Sequence, residues 1–269
     1  MRARINVQGD SGITVANNGS IYFADSGNGR VREILPNRII NTVAGGGTRL
    51  LGLSPMPALR VSLKGVAGLT IGPNAELYIA ANSVYRLGTG GILHWVVGKT
   101  LPPKDLPKNW GGVYSNPAIQ SDFTPAIRLA FDARGDLLVA GGPGGGLYEM
   151  TKSRKLRFIE PFWRGGLGSL AQATGGSVVL TDMNGVFSFS SSKTKSMGTY
   201  LGAIHNALTN GESRPNFFMG GGGVAVAKNG DIYVDTSENS AWSSMSAILE
   251  LRSNGSVVAL ADKQLVIRR

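Results

Sequence analysis

A four-part unit returns five times along this chain, and no other feature constrains the fold as tightly. Its clearest copy opens with an apolar run, Ile13 to Ala16, that enters an Asn17-Asn18-Gly19 turn. A second run, Ser20 to Ala24, is followed by Arg30 to Ile34 and then Ile39 to Ala44. Each run is too short for a helix, and Asn-Gly supplies the positive backbone angles of a tight hairpin. The other copies open at Val66–Ala81, Ala126–Ala140, Gly168–Asp182 and Gly223–Asp235, each followed by two further short apolar runs. One four-stranded sheet cannot bury both of its faces alone, but sheets stacked around an axis can. The expectation is therefore an all-β chain, a β-propeller of about five four-stranded blades, with a sixth left open. A single domain spans 1–269, with blades near 12–45, 66–98, 126–160, 168–202 and 223–261. The outer strand of the fourth blade is expected at Met197–Leu201. Ala3–Val7 and Gln264–Ile267 are the terminal strands available for closing the ring.

Composition removes several functions. There is no cysteine, so disulfides, thiolate zinc sites and cysteine nucleophiles are excluded. Two histidines, His94 and His205, cannot build a three-histidine metal site. No apolar run reaches the ~18–20 residues of a membrane span. The basic start Met1-Arg2-Ala3-Arg4 has no apolar stretch after it, so a soluble protein is expected, exported only if a leader precedes this numbering, and the compartment stays open. A net charge of +10 favours an acidic partner. The densest basic stretch, Lys152 to Arg157, reads as a peripheral hairpin turn, too short and too poor in aromatics for a nucleic-acid site.

The stretch Ile21-Tyr-Phe-Ala-Asp-Ser-Gly-Asn-Gly-Arg-Val-Arg-Glu-Ile34, with Ile40-Asn-Thr-Val-Ala-Gly-Gly-Gly47, resembles the NHL repeat of bacterial propellers. Leu77-Tyr-Ile-Ala80 and Gly230-Asp-Ile-Tyr-Val-Asp235 carry the likeness more loosely. It implies a propeller and says little about activity, because propellers host unrelated functions. Asp25, Asn28 and Arg30 fall on the repeat's signature positions, where the expectation is an Asx-type turn with a local charge pair.

Candidate chemistry gathers on the long connections 46–65, 99–125 and 203–222, which join one blade to the next on one face. Trp110, Tyr114, Asn116, Arg214 and Trp242 combine stacking surface with polar groups, as a peptide, glycan or protein ligand would require. This makes a binding module without a cofactor the leading expectation. The alternative is a metal-dependent hydrolase or lyase, similar to propeller lactonases of the gluconolactonase type, which hold a divalent cation on the channel axis. Calcium takes six to eight oxygens, and Asp182, Asn184, Asp235 and Glu238 are the candidate ligands, with Asp25 and Asn82 at related positions. His205, Glu212 and Asp122 are the candidates for acid–base catalysis. Nucleic-acid binding through the basic surface ranks third, since Lys and Arg are spread over all the blades. The glycine runs 141–146 and 220–223 precede strands, not helices, which argues against a phosphate-binding loop.

Overall fold

Hairpins set by glycine and asparagine turns build every sheet of this computed structural model. It describes residues 4–7, 12–98, 126–141, 146–161, 167–173, 176–182, 185–190, 193–196, 223–240 and 243–262. Blade one is β1 (Ile13–Val15), β2 (Ile21–Asp25), β3 (Arg30–Ile34) and β4 (Ile40–Gly45). A two-residue strand, β5 (Met56–Pro57), precedes blade two, which is β6 (Val66–Ile71), β7 (Leu77–Ala81), β8 (Ser83–Gly88) and β9 (Ile92–Val97). Blade three is β10 (Ala126–Phe131), β11 (Leu137–Gly141), β12 (Gly146–Met150) and β13 (Leu156–Pro161). Blade four is β14 (Leu167–Gln172), β15 (Val178–Asp182), β16 (Gly185–Ser190) and β17 (Lys193–Ser196). Blade five is β18 (Val224–Val226), β19 (Ile232–Ser240), β20 (Ser243–Leu251) and β21 (Val257–Asp262). Each blade is an antiparallel meander in chain order, the propeller arrangement that the repeat predicts. No α-helix occurs among the described residues, and so none long and apolar enough to cross a membrane.

The chain packs as two compact units, the first carrying blades one to three and the second blades four and five. In the first, Ala24, Val31, Leu63, Ile79, Tyr85 and Leu93 form one buried cluster. A second cluster joins Val84 and Val97 of blade two to Leu137 and Val139 of blade three. In the other unit Val179, Val186, Ile232, Val234, Leu249 and Leu251 are buried together. Fully burying a side chain of this size stabilises by roughly 1.5–3 kcal/mol, so the faces between blades supply most of the driving force.

The turns on one end of the blades behave as their sequences predict. Asn18 accepts the Ser20 N–H at 3.0 Å and Asn254 accepts the Ser256 N–H at 2.9 Å, so both Asn-Gly-Ser triplets are Asx turns. In blades three and five the residue after the turn glycine is an aspartate that reaches the neighbouring turn. Asp136 accepts the Lys152 N–H at 3.0 Å, and Asp231 accepts the Ser253 N–H at 3.1 Å. The basic stretch around Lys152 lies in that hairpin turn, as expected, with Lys152, Ser153, Arg154 and Lys155 exposed.

In blade four β17, Lys193–Ser196, follows β16 after two residues in a tight hairpin, and the expected Met197–Leu201 lies outside the described residues. Arg32 on β3 is buried at 8% exposure. Two expectations change. Residues 4–7 form no strand; the segment lies as coil against the turn after β2, where Gly27 N–H donates to the Asn6 carbonyl at 2.8 Å. The 46–65 connection is also not a free loop. Its β5 pairs with β9 and adds a fifth strand outside blade two, and Met56, Ala58, Val61 and Leu63 are buried.

A tyrosine on the second strand faces a glutamate on the third in blades one and five. The Tyr22 hydroxyl donates to Glu33 at 2.8 Å and that of Tyr233 to Glu250 at 2.9 Å. Burial, then the bond to Glu33 and its charge, push the Tyr22 phenol up to about 12. A phenol whose folded value lies above its unfolded value of about 10 stabilises fully below pH 10, and that contribution fades as pH rises through about 12. Absorbance titration at high pH should therefore show one phenolate appearing near pH 12, and Tyr22→Phe should remove that component. A titration in which Tyr22→Phe removes only an ordinary phenol near pH 10 would contradict the bond to Glu33.

Candidate functional site

The ends of the second strands carry most of the acidic candidates, and the repeat puts chemically similar residues into different surroundings there. In blade one, Asp25 closes β2 directly opposite Arg30 and is fully buried. Its Oδ1 accepts the Asn6 N–H at 2.7 Å and the Asn28 side-chain amide at 2.8 Å. The guanidinium facing it belongs to Arg32, not to Arg30: Arg32 Nε lies 3.4 Å from Asp25 Oδ2, misaligned for a hydrogen bond and so a charge pair. Arg30 instead passes over Gly46, where a Cβ would come within 2.7 Å of its Nε. The expected charge pair exists, with a different arginine, and it excludes Asp25 as a cation ligand. A metal there would need the space and the charge that Arg32 already supplies.

Blade two has no acid at the equivalent place. Ala81 pairs with Ser83 across Asn82, which is exposed and held at φ 62° as the tip of the turn. In blade four, Asp182 pairs with Gly185 at the end of β15 and β16. In blade five, Asp235 is exposed, and its carboxylate has no hydrogen bond or ion pair among the described residues. Across from it stands Gly223, whose carbonyl accepts the Asp235 N–H at 3.2 Å and at which a Cβ would lie 3.5 Å from Oδ1. Five residues of β19 continue past Asp235, paired in register down to Ser240 with Ser243. Glu238 lies on this continuation of β19, paired with Met245.

Blade three offers another acidic group. Asp132, Asp136 and Glu149 are buried, and one oxygen from each lies within 4.8 Å of the others. All three are committed elsewhere: Asp132 to Arg134 at 3.0 Å, Asp136 to the Lys152 N–H, and Glu149 to Arg157 at 2.7 Å. The group is a bundle of turn caps and ion pairs.

Trp110, Tyr114, Asn116, Asp122, Asn184, His205, Glu212, Arg214 and Trp242 lie outside the described residues, as do the connections 99–125 and 203–222. His94 stands on β9 and lines a cavity of about 490 Å³ that opens between blades two and three. That cavity was missed in the sequence because its walls come from two blades and three turns.

Comparison with family models and with curated proteins finds no match to the sequence. Solved structures do match. A catalytically inactive virginiamycin B lyase from Staphylococcus aureus, with quinupristin, has a TM-score of 0.54 at 14% identity, over 92% of this chain and 68% of that one. A gluconolactonase from Xanthomonas campestris has 0.58 at 10% identity, over 93% and 74%. Regucalcin, a calcium-binding protein from Agrobacterium tumefaciens, has 0.54 at 11% identity, over 93% and 72%. The likeness is one of fold. It shows a β-propeller, the fold of these structures, and nothing in it singles out the NHL repeat.

Proposed function

We propose that this protein is a propeller hydrolase or lyase that holds an oxygen-ligated divalent cation, calcium in the first instance, with Asp235 among its ligands. The observation that carries this reading is the contrast between Asp25 and Asp235. Both hold equivalent places on a second strand, yet one is sealed against Arg32 while the other is exposed with no partner among the described residues. A carboxylate left open on a strand is a hard oxygen donor of the kind calcium takes. A bound cation there would polarise a carbonyl oxygen of the substrate as a Lewis acid. The similar structures named above, a lyase, a lactonase and a calcium-binding protein, support the reading as well. Asp182, Asn184 and Glu238 are the further donors proposed. His205, Glu212 and Asp122 are proposed for proton transfer, and Trp110, Tyr114, Asn116, Arg214 and Trp242 for substrate binding. Within this reading the repeat itself is of NHL type, with the Asp25–Asn28 turn as its structural signature.

Elemental analysis of the purified protein, with thermal unfolding in calcium and in chelator, tests this. The expected result is one divalent ion per chain and a midpoint that falls in chelator. Free calcium at about 100 times Kd stabilises by about 2.7 kcal/mol, roughly 5–10 °C for a chain of this size. Asp235→Ala should abolish the difference. No ion and identical midpoints would overturn the metal-dependent reading and leave a cofactor-free binding module for a protein, peptide or glycan.

A further inference from the structure

We infer that the cavity between blades two and three is a binding site for a small aromatic carboxylate, distinct from the strand end that carries Asp25. Its volume, about 490 Å³, lies within the usual range for small-molecule sites. Tyr78 on β7 and Phe131 on β10 supply aromatic walls, with Arg86, His94 and Leu137 beside them. Tyr78 and Phe131 meet edge to face, with ring centroids 4.9 Å apart and planes at 75°, so these walls are packed in place before a ligand arrives.

Charge decides the class of ligand. Lys152 and Arg154 stand exposed at the mouth, in the turn between β12 and β13, and neither has an ion pair among the described residues. Arg86, also on the wall, is neutralised by both oxygens of Glu76 at 2.9 Å and adds no free positive charge. The phenol of Tyr78 is held above its ordinary value, first by burial and then by Glu76, so it faces the cavity as a neutral donor. Two aromatic walls, a neutral phenol donor and two rim cations without an ion pair among the described residues complement an aromatic ring bearing one carboxylate.

Calorimetric titration with 2-naphthoate, and with 2-naphthamide as its uncharged counterpart, tests the assignment. The expected result is saturable 1:1 binding of the carboxylate at least about tenfold tighter than the amide, since the rim charges act on only one of them. Raising the salt should narrow the gap. Lys152→Glu combined with Arg154→Asn should weaken the carboxylate about tenfold at an unchanged unfolding midpoint. Asparagine is chosen because position 154 has φ 59°, which asparagine tolerates. Equal affinity for the two probes, no saturation in the millimolar range, or full affinity in the double variant would each overturn the proposal.

Discussion

Asp25→Ala should lower the stability of the protein by about 3–5 kcal/mol, the range for breaking a buried ion pair by removing one partner. Three contacts disappear together: the Asn6 N–H, the Asn28 amide and the charge of Arg32. The guanidinium left behind is 8% exposed, too deep for water to replace the carboxylate around it. Asp25→Asn separates the parts, because it keeps an acceptor for Asn6 and removes only the charge. A second substitution, Arg32→Met, should recover part of the loss when placed on Asp25→Ala and cost stability when placed on the wild type. Denaturant unfolding of the four proteins gives the coupling. Additive losses would show that the two side chains do not act as a pair.

Gly45→Ala should cost about 3 kcal/mol or more, for two reasons that a control separates. Gly45 has φ 81°, a conformation that strains any residue with a Cβ by roughly 1–2 kcal/mol. A Cβ there would also fall 2.2 Å from the Gly29 carbonyl oxygen and 2.9 Å from the Arg30 Cα, and backbone cannot swing aside. Gly19 has nearly the same φ, 83°, but its nearest neighbour would be Pro36 Cγ at 3.7 Å. Gly19→Ala should therefore show the conformational penalty alone. Should the two variants unfold at the same denaturant concentration, the close approach of β3 and β4 at this corner would be wrong.

The fold was legible because its signals are local. Asn17-Asn18-Gly19 and Lys228-Asn229-Gly230 name their own turns, and the short apolar runs beside them can only be strands. What stayed hidden depends on contacts between distant segments. Arg30 lies directly opposite Asp25 in the strand register, so it is the natural partner on paper; Arg32 sits two residues along on the same face and makes the diagonal pair instead. Gly46 gives Arg30 somewhere else to go. The same applies to the candidate site. Asp25 and Asp235 hold equivalent places in the repeat, and Asn6, Asn28 and Arg32 gathered around the first distinguish them. The cavity of Trp95 and Lys152 has no motif, because its walls lie in separate stretches of a repeat that is regular for structural reasons.

The strand β5 changes where one blade begins. It lies on the outer edge of blade two, while β6, the next strand in the chain, lies on the inner edge. Residues 58–65 therefore cross the whole width of the sheet and bury Ala58, Val61 and Leu63 on the way. A segment cut at the limits of the repeat, 66–98, would leave β9 with a bare edge open to pairing with other chains. The portion of this chain that can be duplicated, exchanged or transplanted as blade two starts near residue 56, inside what the repeat marks as a spacer.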